Sequence, residues 1–138
     1  MRSLLLIVAM LVTSGSLMLT VKQTKAQSDN AQLTVYYTHS TKRCVSCRVV
    51  ENETKKILNE DFKSELESGT LKFIAVNIDD ADKKEFAQKH KVWGSSLLLV
   101  KTNTGETINM SRDAFRYSRR EPETYRQKLT KAIRDNLI

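Results

Sequence analysis

The chain has 138 residues, enough for one domain with a real core, and its hydrophobic share of 40% is ordinary for a globular protein. Four glycines and one proline argue against disorder or low complexity, and no internal repeat stands out at any period. The formal charge of +7 is basic, but there is no stripe of interleaved aromatic and basic residues, so nucleic acid is excluded as a partner.

Residues 1–26 read as a targeting segment. Arg2 precedes an uncharged, mostly apolar run from Ser3 to Val21, and Thr24 and Ala26 place small residues where a signal peptidase cuts. That predicts a mature chain beginning at Gln27. The run is also close to the length that spans a bilayer, so retention of residues 3–21 as a single membrane anchor is the alternative. Either way the domain 27–138 is expected outside the cytoplasm, in a bacterial periplasm or secreted, where disulfides persist. Losing the segment removes Arg2, Lys22 and Lys25 and no acidic residue, which lowers the formal charge by three.

After a short polar linker (28–32), Leu33–Tyr37 reads as a buried strand, β-branched and aromatic. The loop Thr38–Arg43 leads to a helix expected from about Val45 to Asn59 or Glu60. One or two further helical turns follow over 61–68, with Phe62 and Leu66 four apart and Gly69 as the C-cap. Leu71–Ile78 is a near-continuous apolar run of the kind a buried parallel strand shows. Asp79, Asp80 and Asp82 are expected to cap a short helix over 83–90 with Phe86 and Ala87 inward; a solvated cap outweighs a metal site there. Leu97–Lys101 is the third strand, Thr102–Gly105 a hairpin turn and Glu106–Met110 the fourth strand. Residues 111–120 are polar and basic. Phe115 and Tyr117 are expected to pack, with Arg112, Arg116, Arg119 and Arg120 on a solvated face. Pro122 suits the first turn of a last helix whose apolar face is Tyr125, Leu129, Ala132, Ile133 and Leu137.

The only two cysteines, Cys44 and Cys47, stand at C-x-x-C spacing where the first strand meets the long helix. In that context the motif reads as redox chemistry. Unpaired N–H groups at a helix start carry partial positive charge, and Lys42, Arg43 and Arg48 crowd the motif, with no acidic residue from Ala31 to Val50. Both effects favour the thiolate, the attacking species. Helical phase puts Cys47 on the inward stripe of Val50, Thr54, Ile57 and Leu58, so Cys44 is expected to be the exposed nucleophile and Cys47 the buried resolving thiol. No cofactor beyond the redox-active disulfide and no resident metal are expected. Three other readings stay open: a structural staple, which would close only a tiny loop; a soft-metal site completed by His39; and a non-catalytic subunit of a membrane or reductase complex. His39 is a candidate proton acceptor near Cys44, set against an ordinary solvated histidine.

The order strand, helix, strand, helix, strand, strand, helix implies an α/β mixed sheet with helices on both faces. With C-x-x-C after its first strand, the chain resembles the thioredoxin-like superfamily over roughly Gln32–Leu137. Phe73–Asp79 resembles that family's second core strand, and Val92–Val100 the segment entering its third. The closer likeness is to small exported thioredoxin-like proteins known as the nitrophenyl compound nitroreductase subunit family. The shared features are the tyrosine-rich first strand, the C-x-x-C loop, the Val-Asn-Ile-Asp strand end and a Ser-Leu third strand. The resemblance implies a central four-stranded sheet flanked by helices, thiol–disulfide exchange with protein or small-molecule thiols and disulfides, and a substrate-facing loop at Trp93, Gly94, Ser95 and Ser96. Departures from the family are also legible. Ser95 occupies the place of its cis-proline, and a cis bond before serine costs about 2.5–4 kcal/mol, so this peptide is expected trans. Tyr36 and Ala75 fall about where the family has its buried Asp and Lys, and Arg43 and Val45-Ser46 replace its Trp and Gly-Pro. A general reductase is therefore not expected.

Overall fold

A computed structural model describes residues 30–137. Residues 1–26, where a targeting segment is expected, fall outside the described residues. No helix among the described residues is long and apolar enough to cross a membrane.

The architecture is a mixed four-stranded sheet flanked by helices. Strands β1 (Leu33–His39), β2 (Leu71–Asn77), β3 (Ser96–Lys101) and β4 (Thr107–Asn109) lie in the order β2-β1-β3-β4. β1 runs parallel to β2 with Leu33 opposite Leu71, and antiparallel to β3 with Leu33 opposite Lys101. β3 and β4 form the antiparallel hairpin. Helices α1 (Val45–Asp61) and α2 (Lys63–Ser68) cross from β1 to β2; α3 (Lys84–Lys89) links β2 to β3; α4 (Ser111–Tyr117) and α5 (Pro122–Arg134) close the chain.

β1 lies between β2 and β3 and is buried except at the half-buried Tyr36 and His39, which its β-branched and aromatic residues permit on both faces. Leu33, Val35 and Tyr37 point to one face. There they join Leu71, Leu97 and Leu99 of the neighbouring strands and Val50, Ile57, Leu58, Ala114, Tyr125, Leu129 and Ile133 of the helices. Each such side chain taken fully out of water contributes about 1.5–3 kcal/mol before chain entropy is subtracted. The other face carries Thr34, Tyr36 and Thr38, and α3 covers it mainly by laying Phe86 on Tyr36 with ring centroids 4.9 Å apart.

Local chemistry sets the ends. α1 begins at Cys44, whose extended backbone makes it the N-cap, and stops at Phe62, where φ −135° and ψ 29° leave the helical region. Phe62 is buried at the break between α1 and α2, close to where the sequence ends the first helix at Asn59 or Glu60. Gly69 ends α2 at φ +78°, a conformation glycine adopts without a Cβ penalty.

Three expectations are corrected. The helix expected over 83–90 is a 3-10 turn (Ala81–Lys83) running into α3, and the aspartates before it make no side-chain cap. Their carboxylates are used elsewhere: Asp79 accepts from the Thr41 amide at 2.8 Å and Asp80 from Asn77 at 3.0 Å. The fourth strand is shorter than expected, because Met110 leaves the ladder to start α4. The polar stretch after it is helical, held by the fully buried Ala114 and by Ser111, whose hydroxyl accepts the Leu97 amide at 3.0 Å. Its arginines 112, 116, 119 and 120 are exposed, as expected of a solvated face.

Candidate redox site

β1 ends by delivering the chain to the mouth of α1, and Cys44 and Cys47 meet there as a disulfide with Cα atoms 5.1 Å apart. Cys44 is exposed and Cys47 buried, the division that helical phase predicts. The Cys44 Sγ accepts the Cys47 amide at 3.1 Å, so the sulfur caps the helix and sits in the field of its free N–H groups. The first turn of α1 has no acidic residue to compete for that place.

Tyr37 anchors the buried half of the pair. Its ring is fully buried in the core, and its hydroxyl donates to the Cys47 carbonyl at 2.6 Å. Burial pushes the phenol above its ordinary pKa, against a hydrogen bond from the Ser95 side chain and the charge of Arg43. The hydroxyl thus stays protonated and keeps donating.

The neighbouring residue on β1 holds the adjacent loop. The Thr38 hydroxyl donates to the Gly94 carbonyl at 2.7 Å, across a separation of 56 residues. Together Tyr37 and Thr38 bring Gly94 and Ser95 to the dithiol end of the sheet. The peptide before Ser95 is trans, as expected. Ser96 is the first residue of β3, and Trp93, at the loop's outer end, is 85% exposed. Val45, between the two cysteines, is 68% exposed, so a large apolar side chain stands in solvent next to Cys44. The loop before Cys44 is tied down from β2, by Asp79 on the Thr41 amide and by the Asn77 amide group donating to the Thr41 hydroxyl at 3.1 Å.

The cations divide. Lys42 and Arg48 are exposed. Arg43 is half-buried and its guanidinium donates to Glu51 at 2.5 Å; Lys55 donates to the other Glu51 oxygen at 2.6 Å. The Glu51 side chain is only 7% exposed. Burial alone would raise its pKa, but the hydrogen bonds and charges of Lys55 and Arg43 together outweigh that and hold the carboxyl below its ordinary value. His39 is half-buried, with Nδ1 3.1 Å from the Ser40 carbonyl oxygen. Among the described residues no three His, Cys, Asp or Glu side chains gather in a way that could hold a metal ion.

Sequence reasoning gave no role at the dithiol end to Glu51, Tyr37 or Thr38, and read Asp79 as a helix cap. Glu51 alone left a legible trace: it lies four residues after Cys47, hence on the inward stripe, and an acid there requires a cation.

No protein-family model matches the chain, and no curated protein matches it. Among solved structures, that of a malarial protein overlaps 78% of this chain and 99% of its own, at 17% identity and a TM-score of 0.46. That overlap is too loose to bear on fold or function.

Proposed function

We propose that this chain is an extracytoplasmic, thioredoxin-like thiol–disulfide oxidoreductase or electron relay, akin to the nitrophenyl compound nitroreductase subunit family. The observation that carries the reading is the asymmetry of the C-x-x-C pair. One sulfur is open to solvent at a helix N-terminus, and the other is buried behind it, with its own carbonyl held by Tyr37. The thioredoxin-like topology is supported by the parallel β1–β2 pair joined through α1 and the antiparallel β3–β4 hairpin with its closing helices.

In this reading the Cys44 thiolate attacks a substrate disulfide, forming a mixed disulfide and expelling one substrate thiolate. Cys47 then attacks the Cys44 sulfur, closing the internal disulfide and releasing the second substrate thiol. In reverse, the oxidised pair takes two electrons from a substrate dithiol. The partners are protein or small-molecule thiols and disulfides, which the exposed Val45 and Trp93 would contact through apolar surface.

The test is the equilibrium reduction potential of the Cys44–Cys47 pair in the full chain, poised against glutathione. A value of about −120 to −200 mV is expected for a working dithiol. A value below about −300 mV, where structural disulfides lie, overturns the reading. A non-catalytic subunit of a membrane or reductase complex is the second reading, favoured by the engagement of Arg43 with Glu51 away from sulfur. A Cys44→Ser, Cys47→Ser double variant that retains full activity in its complex would establish it.

A further inference from the structure

Arg43 immediately precedes Cys44, and Glu51 lies one helical turn beyond Cys47, so their ion pair brackets the dithiol. In sequence the pair stands on either side of the turn that bears the sulfurs, whose Cys47 carbonyl accepts from the Tyr37 hydroxyl. Glu51 has a second cation, Lys55, on its other oxygen. The cluster therefore holds two cations and one anion, and one of the cations, Arg43, adjoins Cys44 in the chain.

We propose that Glu51 is a positioning residue that sets the redox poise of the dithiol by withholding Arg43 from Cys44. The inference rests on the dithiol being active, as argued above. In the disulfide neither sulfur is charged, and Glu51 is the best partner Arg43 has. Reduction by a dithiol changes that. The donor gives up two electrons and two protons and closes its own disulfide, while the Cys44–Cys47 bond breaks. One proton goes to Cys47, the other is released to solvent, and Cys44 is left as a thiolate. A new anion then stands on the residue next to Arg43. Because Lys55 remains on Glu51, Arg43 can turn to the thiolate without leaving a buried carboxylate unpaired. The competition between Glu51 and Cys44 for one guanidinium thereby fixes how much the reduced form is stabilised.

The experiment is a double-mutant cycle on the full chain, with the dithiol equilibrated against dithiothreitol and the pH profile of Cys44 alkylation by iodoacetamide measured alongside. Glu51→Gln frees Arg43, so the equilibrium is expected to shift about tenfold toward reduced protein, about 30 mV upward. The alkylation midpoint should move to lower pH. In an Arg43→Met background both shifts should vanish. Lys55→Met guards against a folding failure of the first variant: it leaves Glu51 holding Arg43 alone, and its shift toward oxidised protein should likewise depend on Arg43.

Equal constants for wild type and variants overturn the inference while leaving an exchanging dithiol intact. Shifts of the same size with and without Arg43 also overturn it, since Glu51 would then act on sulfur directly. A wild-type pair that resists reduction altogether overturns both this inference and the function on which it rests.

Discussion

Helix α1 carries an arginine–carboxylate cluster at each end, and the two are built to opposite purposes. At its C-terminus Glu60 and Asp61 sit where the helix dipole disfavours anions, and the last turn has no basic residue of its own. Arg126 reaches over from α5 to both, meeting Asp61 at 2.7 Å and also bonding Glu60, while the Thr130 hydroxyl donates to Asp61 at 3.2 Å. All these groups keep contact with solvent. At the N-terminus the acid is buried, the partner arginine comes from the loop rather than from another helix, and the first turn, capped by the Cys44 sulfur, holds no acidic residue. The distal cluster is a staple between two helices. The proximal one stands in sequence on either side of the Cys44–Cys47 disulfide.

Breaking each cluster should separate these roles. The largest stability effect is expected at the buried end. Arg43→Ala leaves Glu51 with Lys55 alone and should cost about 1–3 kcal/mol of unfolding free energy, read from the urea midpoint. A loss within 0.5 kcal/mol, about the scatter of surface substitutions, would mean the pair is no more consequential than a surface contact.

Acid should act on the same group next. Folding lowers the Glu51 pKa from 4.5, so its favourable contribution is fully present above that value and is lost as pH falls through the folded one. Unfolding titrations down to pH 3 should therefore show the gap between wild type and Glu51→Gln closing below about pH 4.5. A gap that stays constant over that range would contradict the assignment.

The smallest effect is expected at the distal end. Arg126→Ala should cost about 0.5–1 kcal/mol, shrinking further in 1 M salt because exposed pairs are screened. The same variant should leave the reduction potential of the dithiol where it was. A shifted potential would show that the two ends of α1 are coupled through the helix.

Much of the frame is legible in the chain before it folds. Apolar β-branched runs and a hairpin turn signal placed the four strands, and stripes of period 3.6 placed the helices α1 and α5, because helical periodicity follows from backbone geometry alone. The same geometry separated exposed Cys44 from buried Cys47. The short elements were less legible. In α4 one fully buried alanine and a serine hydroxyl bonded to the Leu97 amide of β3 outweigh a polar composition.

The sequence by itself determined where the dithiol stands: at a strand-to-helix junction, among cations, with one sulfur turned out and one in. Only the tertiary structure decided what those cations and the nearby hydroxyls do. Arg43 reads in the sequence as a neighbour of sulfur, yet it is engaged by Glu51, eight residues on. Tyr37 reads as a core residue, yet its hydroxyl holds the Cys47 carbonyl. Asp79 reads as a helix cap, yet it fixes the Thr41 amide, 38 residues back. The physical reason is common to all three. Apolar side chains need only a dry side, which local periodicity supplies, whereas a charge or hydroxyl is satisfied by one directed partner, and only the folded chain determines which partner is within reach.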